Sequence, residues 1–135
     1  RDPEFAAYAR ASFTQGASVL EVALDLMQRI HSDFIYESQS TEVNTPALQA
    51  LAQRKGVCQD FAHIMIACLR TLGLPARYVS GYLHPKLEPE IGDRAVSESH
   101  AWIEWFAGEW FGYDPTNDTA IDSEPVFTTF TTLAI

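Results

Sequence analysis

The apolar positions of this chain follow two rhythms, helical through its first half and alternating through much of its second. Leu20, Ala23, Leu24, Met27 and Ile30 recur every three or four residues. This spacing predicts a helix of about 14 residues ending near His31, with that stripe facing the core. Ser18 and Glu21 stand three apart at its start, the pattern of a capping box. A second, shorter helix is predicted from Thr45-Pro46, with Thr45 as cap and Pro46 at the first helical position. Leu48 and Leu51 face inward, and Lys55-Gly56 closes this helix. A third pattern runs through Phe61, Ile64, Met65, Cys68, Leu69 and Leu72 and stops at Gly73 and Pro75. Residues 1–17 are mixed, with Phe5, Tyr8 and Phe13 as packing anchors, and residues 32–44 are polar and turn-rich.

After Pro75 the period changes. Residues 76–83 are rich in β-formers and predict a strand. Residues 84–98 carry two prolines, a glycine and several charges, which predicts a long loop and a candidate lid or specificity segment. Two further strands, 99–106 and 110–114, flank Ala107-Gly108-Glu109. Pro115 to Asp118 reads as a turn, and the tail from Ile121 to Ile135 holds at least one strand. Helices first and strands later give an α+β class, with the helices packed on an antiparallel β-sheet. The aromatic residues Trp102, Trp105, Phe106, Trp110, Phe111 and Tyr113 read mainly as core, with alternate members placed to line a groove.

Length and composition narrow the function. The 135 residues amount to one domain, and a chain that begins at Arg1 reads as a piece of something longer. A net charge of −9 argues against nucleic-acid or anionic-membrane partners, which need clustered Lys and Arg. No apolar run reaches membrane-span length, and no secretory signal is visible. Cys58 and Cys68 lie ten residues apart in one helical pattern, about 15 Å along its axis and beyond disulfide reach. That usage suggests a reducing, cytoplasmic setting. Cys-x-x-Cys, His-Glu-x-x-His and calcium-loop spacings are all absent, so neither a metal nor another cofactor is expected.

The candidate chemistry starts at Cys58. It follows Gly56-Val57 where the third helix begins, and unpaired amides and the helix dipole favour an anion at such a point. Thiols so placed ionise more readily, and the thiolate is the nucleophile. A base and an orienting group are then required. His63 is turned round the helix axis from Cys58, His31 ends the first helix without a suggestive neighbour, and His84 opens the long loop. His100 is different, because a hairpin with a three-residue loop at Phe106-Ala107-Gly108 pairs Trp105 with Glu109 and brings Asp114 opposite His100. Directly opposed side chains share a face at about 5 Å between Cβ atoms. Taken singly, each residue has an ordinary structural reading: a buried thiol, a strand histidine, an aspartate that makes a turn.

The segment Gly56-Val57-Cys58-Gln59-Asp60-Phe61-Ala62-His63, followed by residues 72–83, resembles the core of the bacterial transglutaminase-like family, whose members are often described as cysteine proteases. Ser99-His100-Ala101-Trp102 and residues 110–117 are similar to that family's His and Asp segments. The resemblance covers residues 15–118. It implies a papain-like α+β core, with Cys58 as nucleophile, His100 as general base and acid, and Asp114 as its orienter. It also implies acyl transfer at amides of a protein or peptide through a thioester on Cys58, released to water or an amine. The second oxyanion donor is not assignable, and the sequence after Asn117 departs from the family pattern. A second reading keeps the same fold as a binding or regulatory module without turnover.

Overall fold

The computed structural model describes residues 3–38, 46–83, 98–121 and 127–133. In chain order the elements are α1 (Pro3–Arg10), α2 (Val19–Asp33), β1 (Ile35–Tyr36), α3 (Ala47–Gln53), β2 (Lys55–Gly56) and α4 (Cys58–Thr71). There follow β3 (Ala76–Leu83), β4 (Glu98–Phe106), β5 (Trp110–Asp114), β6 (Thr119–Ile121) and β7 (Phe127–Leu133). The last five strands form one antiparallel sheet in the order β6-β5-β4-β3-β7. The chain is therefore α+β, as the order of patterns predicts.

α4 is the centre of the packing. It touches α1, α2 and α3 on one side and β3 and β4 on the other. A helix enclosed in this way must be apolar nearly all round. Accordingly Ala62 and Ile66 are buried along with Phe61, Ile64, Met65, Cys68 and Leu69. Leu72 caps the helix, and Gly73 takes φ +81°, a left-handed conformation that a Cβ would strain. The Gly73 and Leu74 amides donate back to the Arg70 and Leu69 carbonyls, which ends the helix and turns the chain into β3.

α2 begins as predicted, with Ser18 accepting from the Glu21 amide at 3.2 Å, and buries Ala23, Met27 and Ile30 of the predicted stripe, but its face is rotated towards Val22 and Leu26. Its buried residues are Val22, Ala23, Leu26, Met27 and Ile30, whereas Leu20 and Leu24 stay 44% and 42% exposed. The sequence carries two overlapping apolar stripes of equal helical period, and packing against α4 selects one. α2 also runs on to Asp33, where the extended Phe34 returns its amide to the Ile30 carbonyl. At the N-terminus Phe5 and Tyr8 are buried on α1, while Phe13, in the turn beyond it, is exposed.

α3 starts one residue later than expected, with Pro46 as its N-cap; Thr45 lies outside the described residues. Contrary to the sequence expectation, Lys55-Gly56 does not close it; the C-cap is Arg54. Arg54 makes the left-handed turn (φ 57°), and Lys55-Gly56 pairs in parallel with Ile35-Tyr36. That short ladder lies directly before Cys58. The predicted loop 84–98 lies outside the described residues except for Glu98, the first residue of β4. The strand expected in the tail is β7, hydrogen-bonded to β3 at the sheet edge.

The β4–β5 hairpin corrects the predicted register by two residues. Phe106 pairs with Trp110, Trp105 with Phe111, and Ile103 with Tyr113, around the loop Ala107-Gly108-Glu109 with Gly108 at φ +81°. The reason is burial. Trp105 is fully buried, and the predicted pairing would place the Glu109 carboxylate beside it on the core face. The observed pairing gives Trp105 the Phe111 ring at 5.2 Å instead. Among the aromatic residues, Trp102, Trp105 and Tyr113 are core, whereas Phe106 and Trp110 are exposed and meet edge to face at 5.3 Å.

Candidate active site

Cys58 is the first residue of α4, with Val57 as N-cap. By helix geometry the amides of Cys58 and Gln59 have no intrahelical acceptor, so this end presents donors beside the half-buried thiol. The Val57 amide is taken by Asp60 Oδ2 at 2.9 Å, the third helical residue reaching back to the cap. This return requires Gly56. A Cβ there would lie 2.7 Å from both the Cβ and Oδ2 of Asp60, closer than real atoms approach. The spacing Gly56-x-Cys58-x-Asp60 therefore sets how the helix starts under the thiol.

His100 lies on β4, and its Nε2 meets Asp114 Oδ2 at 2.7 Å. Continuing the β4–β5 register places Asp114 opposite Trp102, so the contact with His100 is diagonal, two residues along the strand. An even offset keeps both side chains on one face. The carboxylate is almost fully buried, with a side chain 2% exposed, and its two oxygens divide the work. Oδ1 accepts the Thr116 and Asn117 amides at 3.0 and 3.3 Å, shaping the turn that begins at Pro115. Oδ2 accepts from His100 and from Asn117 Nδ2, the latter at 2.8 Å. Asp114 is thus both a turn-forming residue and the partner of His100.

The imidazole of His100 is hydrogen-bonded to Asp114 and lies within electrostatic reach of the Cys58 thiol. Burial pushes the His100 pKa down, but the interactions with Asp114 and Cys58 outweigh it, lifting the value to about 9. Asp114 and Cys58 thus both act on the His100 imidazole, whose Nε2 is turned to the aspartate. Trp102 lies beside the ring at 6.2 Å between centroids, nearly parallel to it.

The other histidines and the second cysteine stand apart from this cluster. His63 stacks on Tyr78 at 4.8 Å, and burial lowers its pKa against the opposing pull of Asp60. His31 Nδ1 donates to the Thr116 carbonyl at 3.0 Å. Cys68 is wholly buried, and burial raises its thiol to about 12. Sequence reasoning passed over Asp60, Asn117 and His31. Asp60 was legible as a carboxylate three residues after the cap, whereas the contacts of Asn117 and His31 depend on the fold. Among the described residues, no group of three or more His, Cys, Asp or Glu is placed to share a metal ion.

The sequence profile of the transglutaminase-like superfamily matches residues 6–115, most of the chain. The chain belongs to that superfamily. It is 45% identical over 124 residues to an uncharacterized protein of Mycobacterium tuberculosis, an alignment covering 85% of this chain and 39% of that relative. It is 32% identical over 102 residues to a protein-glutamine gamma-glutamyltransferase of Pseudomonas aeruginosa, covering 70% of this chain and 15% of the relative. Among solved structures, a candidate cysteine protease from Cytophaga hutchinsonii superposes with a TM-score of 0.70 at 28% identity, covering 97% of this chain and 48% of that one. The fold is the transglutaminase-like one, and the chain spans well under half the length of the curated relatives it matches.

Proposed function

We propose that this chain carries a thiol-dependent acyl transfer at amide bonds, with Cys58 as nucleophile, His100 as general base and acid, and Asp114 as its orienter. The observation that supports this best is the His100 imidazole, bonded to Asp114 at 2.7 Å and raised in pKa by both Asp114 and the Cys58 thiol. An imidazolium held in this way stabilises a thiolate beside it. Attack by sulfur on an amide carbonyl forms a C–S bond and pushes charge onto oxygen, which the free amide of Cys58 at the helix N-terminus is suited to receive. As the C–N bond breaks, His100 gives its proton to the departing nitrogen and leaves a thioester. Water or an amine then attacks the thioester, losing its proton to His100, and the thiol is regenerated.

The substrate class is a protein or peptide amide. Similarity to a protein-glutamine gamma-glutamyltransferase favours a glutamine side chain as acyl donor. The test is to incubate the chain with glutamine-containing peptides, with and without a primary amine, and read product masses. Amine incorporation marks transfer, conversion of Gln to Glu marks deamidation, and shortened peptides mark proteolysis. Cys58→Ala should remove every one of these products. If the wild-type chain yields none under these conditions and Cys58 is no more reactive than a free thiol, the non-catalytic binding reading replaces this one.

A further inference from the structure

We propose that His31 is a positioning residue for the candidate base, holding the Thr116–Asn117 peptide plane so that its amide stays aimed at Asp114. The contact spans 85 positions of sequence, from the last turn of α2 to the turn after β5. A carbonyl oxygen only accepts, so His31 Nδ1 carries the hydrogen in the 3.0 Å bond to Thr116 O. The Thr116 carbonyl and the Asn117 amide belong to one rigid peptide unit. One end of that unit is held by His31, and the other donates to Asp114 Oδ1 at 3.3 Å. Rotating the plane would release both bonds together.

The consequence for His100 follows from the carboxylate. Oδ1 is fixed by the Thr116 and Asn117 amides, and the side chain of Asn117, on the same turn, fixes Oδ2. The carboxylate fixed in this way presents Oδ2 to His100 Nε2 at 2.7 Å. A carbonyl that accepts a hydrogen bond also polarises its own N–H, which strengthens the donor facing Asp114. The next residue but one, Asp118, takes a left-handed φ of 55°, so the turn is locally strained and gains from an external tie. Among the described residues His31 bonds to the Thr116 carbonyl, and it acts on His100 through Asp114.

The inference rests on the reading of His100 and Asp114 given under Proposed function, and its test separates the two. The side-chain titration of His100 is followed by NMR in the full chain, with the signal assigned by its loss in His100→Ala. The rate of Cys58 alkylation by iodoacetamide is measured across the same pH range. Variants are His31→Ala, His31→Asn, whose amide can donate from a similar position, and Asp114→Asn. In His31→Ala the His100 midpoint is expected to fall on the order of half a unit to one unit, with alkylation slowed several-fold near neutral pH. His31→Asn should recover most of both. An unchanged midpoint in His31→Ala, alongside a lowered one in Asp114→Asn, overturns the role of His31 and leaves the triad intact. A fall that His31→Asn fails to recover assigns the effect to lost packing and also overturns it. If Asp114→Asn does not move the midpoint either, the triad reading itself is overturned.

Discussion

Asp114 reaches His100 diagonally across the β4–β5 ladder, and the 2.7 Å bond between them joins residues that are not direct cross-strand partners. The geometry tolerates this because a two-residue offset preserves the face, and the turn beyond Asp114 fixes its carboxylate from the other side. The bond also makes the protonation of His100 depend on Asp114, which can be measured.

Asp114→Asn should therefore lower the His100 midpoint from about 9 toward the ordinary histidine value. The sign for stability follows. A pKa raised in the folded state means that the native chain binds the proton more tightly than the unfolded chain. The stabilisation is fully present below the ordinary histidine pKa of about 6.5 and is lost as pH rises through about 9. Urea unfolding at intervals from pH 6 to 10 should show wild-type stability declining across that window, with a flatter course in Asp114→Asn. Parallel curves for the two proteins would contradict the coupling.

The two thiols should differ sharply toward alkylation. Cys58 is half-buried at a helix N-terminus beside an imidazole, whereas Cys68 is enclosed in the core with its thiol raised to about 12. Iodoacetamide at neutral pH is expected to modify Cys58 in the native chain and to reach Cys68 only after denaturation, as read by peptide mapping. Equal labelling of both would remove the distinction.

Gly56→Ala should destabilise the chain although no left-handed backbone is involved. The added methyl would meet Asp60 at 2.7 Å and drive its carboxylate off the Val57 amide. Overpacking together with loss of the cap is worth roughly 1–3 kcal/mol. Thermal unfolding measures the loss, and slower alkylation of Cys58 would show that the displaced helix start reaches the thiol.

The selected face of α2 gives a paired test. Leu26 is completely buried, so Leu26→Ala should cost about 2–5 kcal/mol, while Leu24→Ser, at an exposed position, should stay within about 0.5 kcal/mol. Denaturant midpoints compare the two directly. A larger loss from Leu24→Ser would restore the face that periodicity alone suggested.

Much of this protein was legible in its residues. The helical rhythm of 61–72, its stop at Gly73 and the β-rich segments after Pro75 are local properties, fixed by backbone preference and side-chain period, and they recur in the fold at nearly the expected bounds. The motif segments around Cys58, His100 and Asp114 were visible through their resemblance to the transglutaminase-like family. Tertiary packing decided the rest. Which of two apolar stripes on α2 is buried depended on α4, the hairpin register depended on what stands beside the buried Trp105, and the diagonal reach of Asp114 followed from that register. The bond from His31 to Thr116 crosses 85 residues and left no local pattern at either end. Short-range preferences determine which elements form. Where the elements meet is settled by the burial of apolar groups and the pairing of buried polar ones, and those choices exist only once distant segments are brought together.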